Sequence, residues 1–255
     1  LNNNLFAQIG HKFKSIIIPY FWIVFSLFPA WVFNYHILRK KNPNYWNTLI
    51  GNIVSQDKIH PATVNPVWFL GALFFAYLYI LIIVKIAGRH QLVRFVMMLY
   101  IMGLGFYLSD MQLPYHVNTG MVGAGYIYIG YLARRYILEK DILKRYKQLM
   151  IMLLITIGFV SAFSNKTVYM VYGQYHSIPL FLTSSLTFGI ALILIFSGSS
   201  KDRVLAYLGR NTMLALGAHI SLIRMFQAIF TDKLLSPFVK TLMVVGIEII
   251  LMMLA

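Results

Sequence analysis

The sequence has 255 residues, of which 59% are hydrophobic and 11% charged, and its formal net charge is +15. A soluble domain is nearer to half apolar and a quarter charged, so this composition and the mean hydropathy of +0.71 predict a membrane protein. The chain has no cysteine, which excludes disulfides, thiolate metal sites and cysteine nucleophiles.

Apolar runs divide the chain into about eight predicted transmembrane helices joined by short loops. They cover residues 16–38, 66–87, 92–109, 119–136, 149–164, 178–197, 204–226 and 237–255. In lipid a helix satisfies its own backbone hydrogen bonds, so these runs predict an all-α fold. The expected architecture is a polytopic transmembrane helical bundle that forms a single domain over residues 1–255.

Lys and Arg are distributed unevenly between the two sets of loops, and this predicts the orientation in the membrane. The leader and the loops after the second, fourth and sixth predicted helices hold 14 of the 22 Lys and Arg residues. Cytoplasmic loops carry the excess of these residues, so this set is predicted to be cytoplasmic. Because the cations lie in short loops, we expect no nucleic-acid partner. The expected partners are membrane lipids and an anionic cosubstrate.

Two juxtamembrane cations, Lys12 and Lys14, lie in the stretch "HKFKSIIIPY" ahead of the first predicted span. Such cations commonly set topology. They are also suited to hold the phosphates of a cytoplasmic cosubstrate, because Lys acts as a point charge toward phosphate. Pro19 follows just inside the span and is expected to reshape its first turns.

An aromatic side chain, Trp68, opens the second predicted span in "NPVWFLGALFF". Its position fits the belt of aromatic residues at a membrane interface. The alternative is that Trp68 and Phe69 offer a flat apolar face to a sugar. Farther along, "TGMVGAGYIYIGYLARR" is rich in small residues, which predicts a close-packing helix face at Gly120, Gly123, Ala124 and Gly125.

Asp110 and His116 bracket the turn "DMQLPYH" between the third and fourth predicted spans. An Asp and a His placed near each other can act together in catalysis. The structural interpretation is favoured here, with Asp110 as a helix-end residue and Pro114 breaking the chain before the next helix.

The seventh predicted span contains "LGRNTMLALGAH", which places an arginine and a histidine in a strongly apolar tract. Arg210 is predicted at the cytoplasmic mouth, and His219 lies about 13 Å deeper along the helix. An ionisable residue inside a span often marks function, and an imidazole can transfer protons near neutral pH. Alternatively, a neutral His219 hydrogen-bonds a neighbouring helix and holds the bundle together.

The sequence contains no metal-binding spacing and no Gly-x-Ser-x-Gly nucleophile motif, so no metal is expected. The carboxylate of Glu248 lies in the last apolar run and is expected to reach toward the membrane edge.

Four stretches, in this order, resemble the acyltransferase-3 family of membrane proteins, which are bacterial O-acetyltransferases acting on surface sugars. They are "KFKSIIIPY", "NPVWFLGALFF", "LPYHVNTGMVGAGYIYIGYLARR" and "YLGRNTMLALGAH". The resemblance implies a multi-pass plasma-membrane protein of about ten spans. It also implies that two spans precede Leu1 and that the main catalytic His lies outside this chain.

The resemblance further implies roles for individual residues. Lys12, Lys14 and Arg210 would bind the phosphates of acyl-CoA, acetyl-CoA being the expected cosubstrate. Trp68 and Asn211 would contribute to the acceptor side, and His219 to the inner site. The implied function is transfer of an acyl group, acetyl in the family, to a hydroxyl of a cell-surface or lipid-linked carbohydrate.

The alternative function is a membrane exporter of a polysaccharide or lipid-linked sugar. A transporter is expected to have repeated halves with helices broken at matching positions. The sequence shows no such pairing, so the acyltransferase interpretation is favoured.

Overall fold

The computed structural model describes eight α-helices and some of their connections. The described residues are 5–33, 36, 44–54, 67–111, 113–138, 142–196, 206–207, 209, 212, 239, 241–243, 245–247 and 249. The helices are α1 (Leu5–Lys12), α2 (Ile18–Phe33), α3 (Tyr45–Val54), α4 (Trp68–Ala87), α5 (Gln91–Tyr107), α6 (Val117–Ala133), α7 (Ile142–Ser164) and α8 (Ile178–Phe196). Two segments, Phe13–Ile17 and Arg134–Leu138, are π-helical.

Three described helical segments are long and apolar enough to cross a membrane: Trp68–Ala87, Tyr146–Ser164 and Ile178–Phe196. Gln91–Tyr107 is a shorter apolar helix. The described ranges contain no β-strand, and the predicted all-α membrane fold is confirmed. The predicted spans at 66–87, 92–109, 119–136, 149–164 and 178–197 correspond to α4–α8, whereas most of 204–226 and 237–255 lies outside the described residues.

The chain separates into two compact units. One contains Leu1–Gly71 with Asp202–Ala255, and the other contains Ala72–Lys201. In the first unit, the buried Tyr20 of α2 donates its hydroxyl hydrogen bond to the Asn52 carbonyl of α3 at 2.5 Å. The α3 helix was not among the predicted spans. Its buried side chains include Thr48, whose hydroxyl donates to the Asn44 carbonyl.

In the second unit, small residues let α6 approach its neighbours closely. A Cβ added to Gly120 would lie 2.8 Å from the Ala72 carbonyl oxygen of α4, and one added to Gly125 would overlap Met102 of α5. Larger side chains at these positions would push the helices apart, so the predicted close-packing face is confirmed.

The α5 and α6 helices are antiparallel neighbours, and this defines two ends of the second unit. At one end, the Asn118 amide of α6 donates to the Leu108 carbonyl that follows α5. At the other, the Tyr136 hydroxyl donates to the Gln91 side-chain oxygen at 3.1 Å. We call residues 108–119 with 165–177 the loop end, and residues 85–94 with 134–136 the cationic end.

Candidate functional site

The predicted cosubstrate cations occupy a widened turn of helix in the first unit. Lys12 is the last residue of α1 and is half-buried, whereas Lys14 is exposed in the π-helical segment Phe13–Ile17. The backbone N–H of Ile18 donates to the Phe13 carbonyl, five residues back. Single π turns inside helices occur frequently at functional sites.

Pro19 explains why the helix widens here. Proline has no backbone N–H, and its ring clashes with the carbonyl four residues earlier, which is that of Ser15. The π turn ends at Ile17, directly before this region, and the chain continues as an ordinary α-helix to Phe33. The expectation that Pro19 reshapes the first turns of the span is therefore confirmed. The next residue, Tyr20, is buried and anchors this turn to α3.

Trp68 is the first residue of α4 and is half-buried. Its ring packs edge-on against Phe69, with centroids 6.2 Å apart and an interplanar angle of 89°. Phe69 itself is exposed. The two rings therefore meet at right angles at the start of a membrane-spanning helix, which is compatible with an interfacial belt and with a sugar-stacking face.

Three predicted site residues, Arg210, Asn211 and His219, lie outside the described residues, as does Glu248. Two neighbours of the arginine are described. The Thr212 hydroxyl donates to the Gly209 carbonyl at 3.0 Å, and both residues are helical. Gly209 and Thr212 are thus helical, as their position in a predicted span requires.

The loop end of the second unit is held by hydrogen bonds from the buried Asn118 and the half-buried Asn165. The Asn118 side chain donates to the carbonyls of Leu108 at 3.1 Å and Met111 at 2.8 Å. The Asn165 amide donates to the Tyr175 carbonyl at 3.3 Å, and its oxygen accepts from the Ser177 N–H. Each asparagine therefore satisfies several backbone groups of one connection.

Gly173 and Tyr175 bring the two connections together. Gly173 adopts φ +69°, and an added Cβ would overlap the Ser109 carbonyl of the other connection. Tyr175 inserts its buried ring between Phe106 and Phe181, with centroids 4.9 and 5.0 Å away. Burial raises the pKa of the Tyr175 hydroxyl, against an opposing hydrogen bond with Thr119.

His116 lies at this end with its side chain 5% exposed, and its backbone is left-handed at φ +52°. Burial lowers the pKa of its imidazole to about 4, so the ring is neutral at physiological pH. Asp110, by contrast, is exposed and follows the end of α5. This contrast in burial agrees with the favoured structural interpretation of the "DMQLPYH" turn.

An apolar cavity of about 490 Å³ lies between α5 and α8. It is lined by Leu99, Met102, Gly103, Phe106, Tyr107, Ile178 and Leu182. None of the predicted site residues lines it. Among the residues that the structure describes, no group of three or more His, Asp or Glu side chains could hold a metal ion.

The cationic end is a feature that the sequence did not predict as a site. The Arg94 guanidinium donates to the carbonyl of Gly88, which ends α4 with φ +54°. Arg135 lies over the Tyr136 ring at 5.7 Å, and Tyr136 in turn donates to Gln91. Cations that the sequence assigned to two separate loops are thus brought to one surface. The loop between α4 and α5 is short, and this feature of the sequence could have been used to predict that these cations gather on one surface.

Comparison with known families decides the class of the protein. The acyltransferase-3 family, described as an acyltransferase domain, matches residues 1–255. The chain belongs to the acyltransferase-3 family. No curated protein and no solved structure matches it significantly. The resemblance carried by the four sequence stretches is confirmed, and this acyltransferase-3 protein is a membrane acyltransferase.

Proposed function

We propose that this acyltransferase-3 protein transfers an acetyl group from acetyl-CoA to a hydroxyl of a cell-surface or lipid-linked carbohydrate. We propose that it does so as a multi-pass protein of a bacterial plasma membrane. The observation that carries the proposal is membership of the family over residues 1–255. Membership supports acyl transfer rather than export of the carbohydrate.

The cosubstrate is proposed to bind at the widened turn. Lys14 is exposed there, and Lys12 lies two residues earlier, at the end of α1. Two ammonium groups close to the start of the first predicted span suit the phosphates of CoA, which remain in water while the thioester approaches the protein. Arg210, predicted on the same side of the membrane, would add a bidentate phosphate contact.

The reaction needs a proton acceptor for the attacking hydroxyl. Its oxygen bonds to the thioester carbonyl carbon, the carbon–sulfur bond breaks, and the hydroxyl proton is passed to the leaving thiolate. An imidazole suits this transfer because its pKa lies near neutrality. His219 is the residue of this chain proposed to assist it.

The acceptor is proposed to lie beside Trp68, and Asn211, next to Arg210, is proposed as a further substrate contact. The exposed Phe69 and the half-buried Trp68 present two perpendicular rings, and either face could stack on a sugar. An asparagine amide both donates and accepts hydrogen bonds, which suits a carbohydrate hydroxyl.

The test uses the full gene product in proteoliposomes with acetyl-labelled acetyl-CoA and glycan acceptors. Transfer of label to a glycan is expected for the wild type, with loss in folded His219→Ala and a weaker effect in Arg210→Ala. Transfer that survives both changes would assign these residues to packing and topology. Absence of both acyl-CoA binding and CoA release with every acceptor would overturn the proposal.

The cosubstrate site has a separate test. Lys14→Gln is expected to raise the KM for acetyl-CoA about tenfold, because a charge-assisted phosphate contact is lost. Lys166→Gln is the matched control, since Lys166 is also an exposed lysine and lies at the loop end of the second unit. An unchanged KM in Lys14→Gln would exclude this residue from the phosphate site.

A further inference from the structure

The cationic end gathers positive charge from three helices. Lys85 lies in the last turn of α4, Arg94 in the first turns of α5, and Arg135 in the π turn after α6. The Tyr136 hydroxyl donates to the Gln91 side-chain oxygen at 3.1 Å, which brings the residues after α6 to the first turn of α5. Arg89, Arg134 and Arg135 are exposed. These guanidinium groups therefore form one positive surface.

Acidic residues are scarce in the part of the chain that the structure describes. Asp110 is the single Asp or Glu among those residues, and it lies at the loop end. Glu139 and Asp141, outside the described residues, follow the π turn in sequence. The stretch 134–147 nevertheless holds six Lys or Arg against these two acids. The surface is positive by composition as well as by geometry.

Exposed apolar side chains lie directly beside these cations. Ile86 is 67% exposed at the end of α4, and Leu92 is 74% exposed in the first turn of α5. Val96, one turn farther along α5, is also exposed. Tyr131 and Tyr136 are half exposed at the end of α6. Tyrosines between cations and an apolar helix surface mark the headgroup level of a bilayer.

We propose that the cationic end binds the headgroup of an anionic phospholipid. The phosphate would lie against Arg89, Arg134 and Arg135, and the acyl chains would follow the apolar face of α5 that begins at Leu92. A soluble phosphate ligand would use the cations alone and would leave the adjoining apolar surface unexplained. A phospholipid matches both surfaces at once. The inference does not depend on the proposed acyltransferase substrates.

The turn after α4 holds this surface in place. The His90 N–H donates to the Ala87 carbonyl at 3.0 Å, and Gly88 takes the left-handed conformation that this turn needs. The Arg94 side chain closes the same turn through the Gly88 carbonyl. Arg94 is therefore assigned to positioning, and the exposed Arg89 and Arg134 are the residues to change in a test.

The experiment uses the full gene product in vesicles of phosphatidylcholine that contain a minor fraction of phosphatidylglycerol. Native mass spectrometry after mild extraction counts the retained lipids of each class. The wild type is expected to retain phosphatidylglycerol preferentially, and less of it at high salt. Arg89→Gln with Arg134→Gln is expected to reduce this retention at least about fivefold. Lys166→Gln, an equal loss of charge per site at the opposite end, should leave it unchanged.

The second arm separates a lipid from the cosubstrate. Binding of CoA is measured for the same variants in vesicles of phosphatidylcholine alone. Unchanged CoA binding together with reduced phosphatidylglycerol retention supports the proposal. Reduced CoA binding with unchanged lipid retention would assign the surface to a soluble phosphate ligand and overturn it. Equal lipid retention in the wild type and the double variant would also overturn it. Neither arm needs catalytic turnover, so a failure here is distinct from a failure of the proposed function.

Discussion

The two ends of the second unit differ in how they use polar groups. At the loop end, Asn118 and Asn165 direct their amides inward and satisfy backbone carbonyls. At the cationic end, Arg89 and Arg134 are exposed. Helices α5 and α6 contribute to both ends. The same pair of helices therefore has a connection stabilised by internal hydrogen bonds at one end and an exposed, charged surface at the other.

Because the two ends use polar groups differently, we expect the loop end to contribute to folding stability and the cationic end to contribute to binding. Inward hydrogen bonds contribute to folding because losing one leaves a buried group without its partner. Exposed cations contribute little to folding, since water solvates them in either state. Substitutions at the loop end are thus expected to lower the free energy of unfolding, and substitutions at the cationic end to change ligand retention. Four measurements test this contrast.

The largest effect is expected for Gly173→Ala at the loop end. Alanine is strained at φ +69°, and its Cβ would overlap the Ser109 carbonyl. We expect a loss of about 4 kcal/mol in the free energy of unfolding, measured by detergent titration followed by circular dichroism. Gly189→Ala is the control, because a Cβ there meets no atom within 4 Å. Equal stability of the two variants would contradict the close approach of the connections.

Acidification is expected to weaken the loop end through His116. Its folded pKa of about 4 lies below its ordinary value of 6.5, so the unfolded chain takes up the proton first. The contribution of the neutral His116 to the free energy of unfolding is fully present above pH 6.5. About 3 kcal/mol of it is lost as the pH falls toward 4. Stability measured across this range should lose most of its slope in His116→Gln. The exposed His90→Gln is the control, and an identical slope in both variants would contradict the assignment.

An intermediate effect is expected for Asn118→Ala. The substitution removes the donor to the Leu108 and Met111 carbonyls, and we expect a loss of about 2 kcal/mol in the same titration. Thr183→Ala is the control, since that side chain is exposed and its hydroxyl donates to the Pro179 carbonyl of its own helix. A loss in the control as large as that in Asn118→Ala would mean that the connection is not specifically stabilised by the amide.

The smallest effect is expected at the cationic end. Arg89→Gln and Arg134→Gln should each change the free energy of unfolding by less than about 0.5 kcal/mol in phosphatidylcholine, because both side chains are exposed. The measurement is the same titration. A loss in the free energy of unfolding as large as that of Asn118→Ala would contradict the expectation that the cationic end contributes less to stability than the loop end.

Hydropathy and small residues allowed much of the second unit to be predicted. The span at 66–87 corresponds to Trp68–Ala87, because a long apolar run is a local signal that needs no partner. The packing face that includes Gly120 and Gly125 could also be predicted, because a cluster of small residues is likewise a local pattern in the sequence. Residues 142–148 were not assigned to a helix, although α7 begins at Ile142. Lys and Arg are good helix formers, but their charge hides a helix from a hydropathy profile.

Features that depend on contacts distant in sequence were not predicted. The α3 helix is short and contains Asn47 and Asn52, and a large part of its stability comes from packing against Tyr20. The close approach of Gly173 to the Ser109 carbonyl joins two connections that are more than sixty residues apart in the chain. At the candidate site, Lys12 and Lys14 were identified from local spacing. The joining of two basic loops at the cationic end required knowledge of how α5 and α6 pair.

The π turn at Phe13–Ile17 has a consequence for how the sequence can change. A π turn holds one residue more than an α-helical turn, so it is equivalent to a one-residue insertion. Deleting Ser15 would restore an ordinary helix and rotate everything before it by about 100° relative to Tyr20. Hydropathy and net charge would barely change, yet Lys12 would point in a different direction. The direction in which Lys12 extends from the helix axis, relative to Tyr20, is therefore set by a single residue. An insertion or deletion here would change this direction more than most substitutions would.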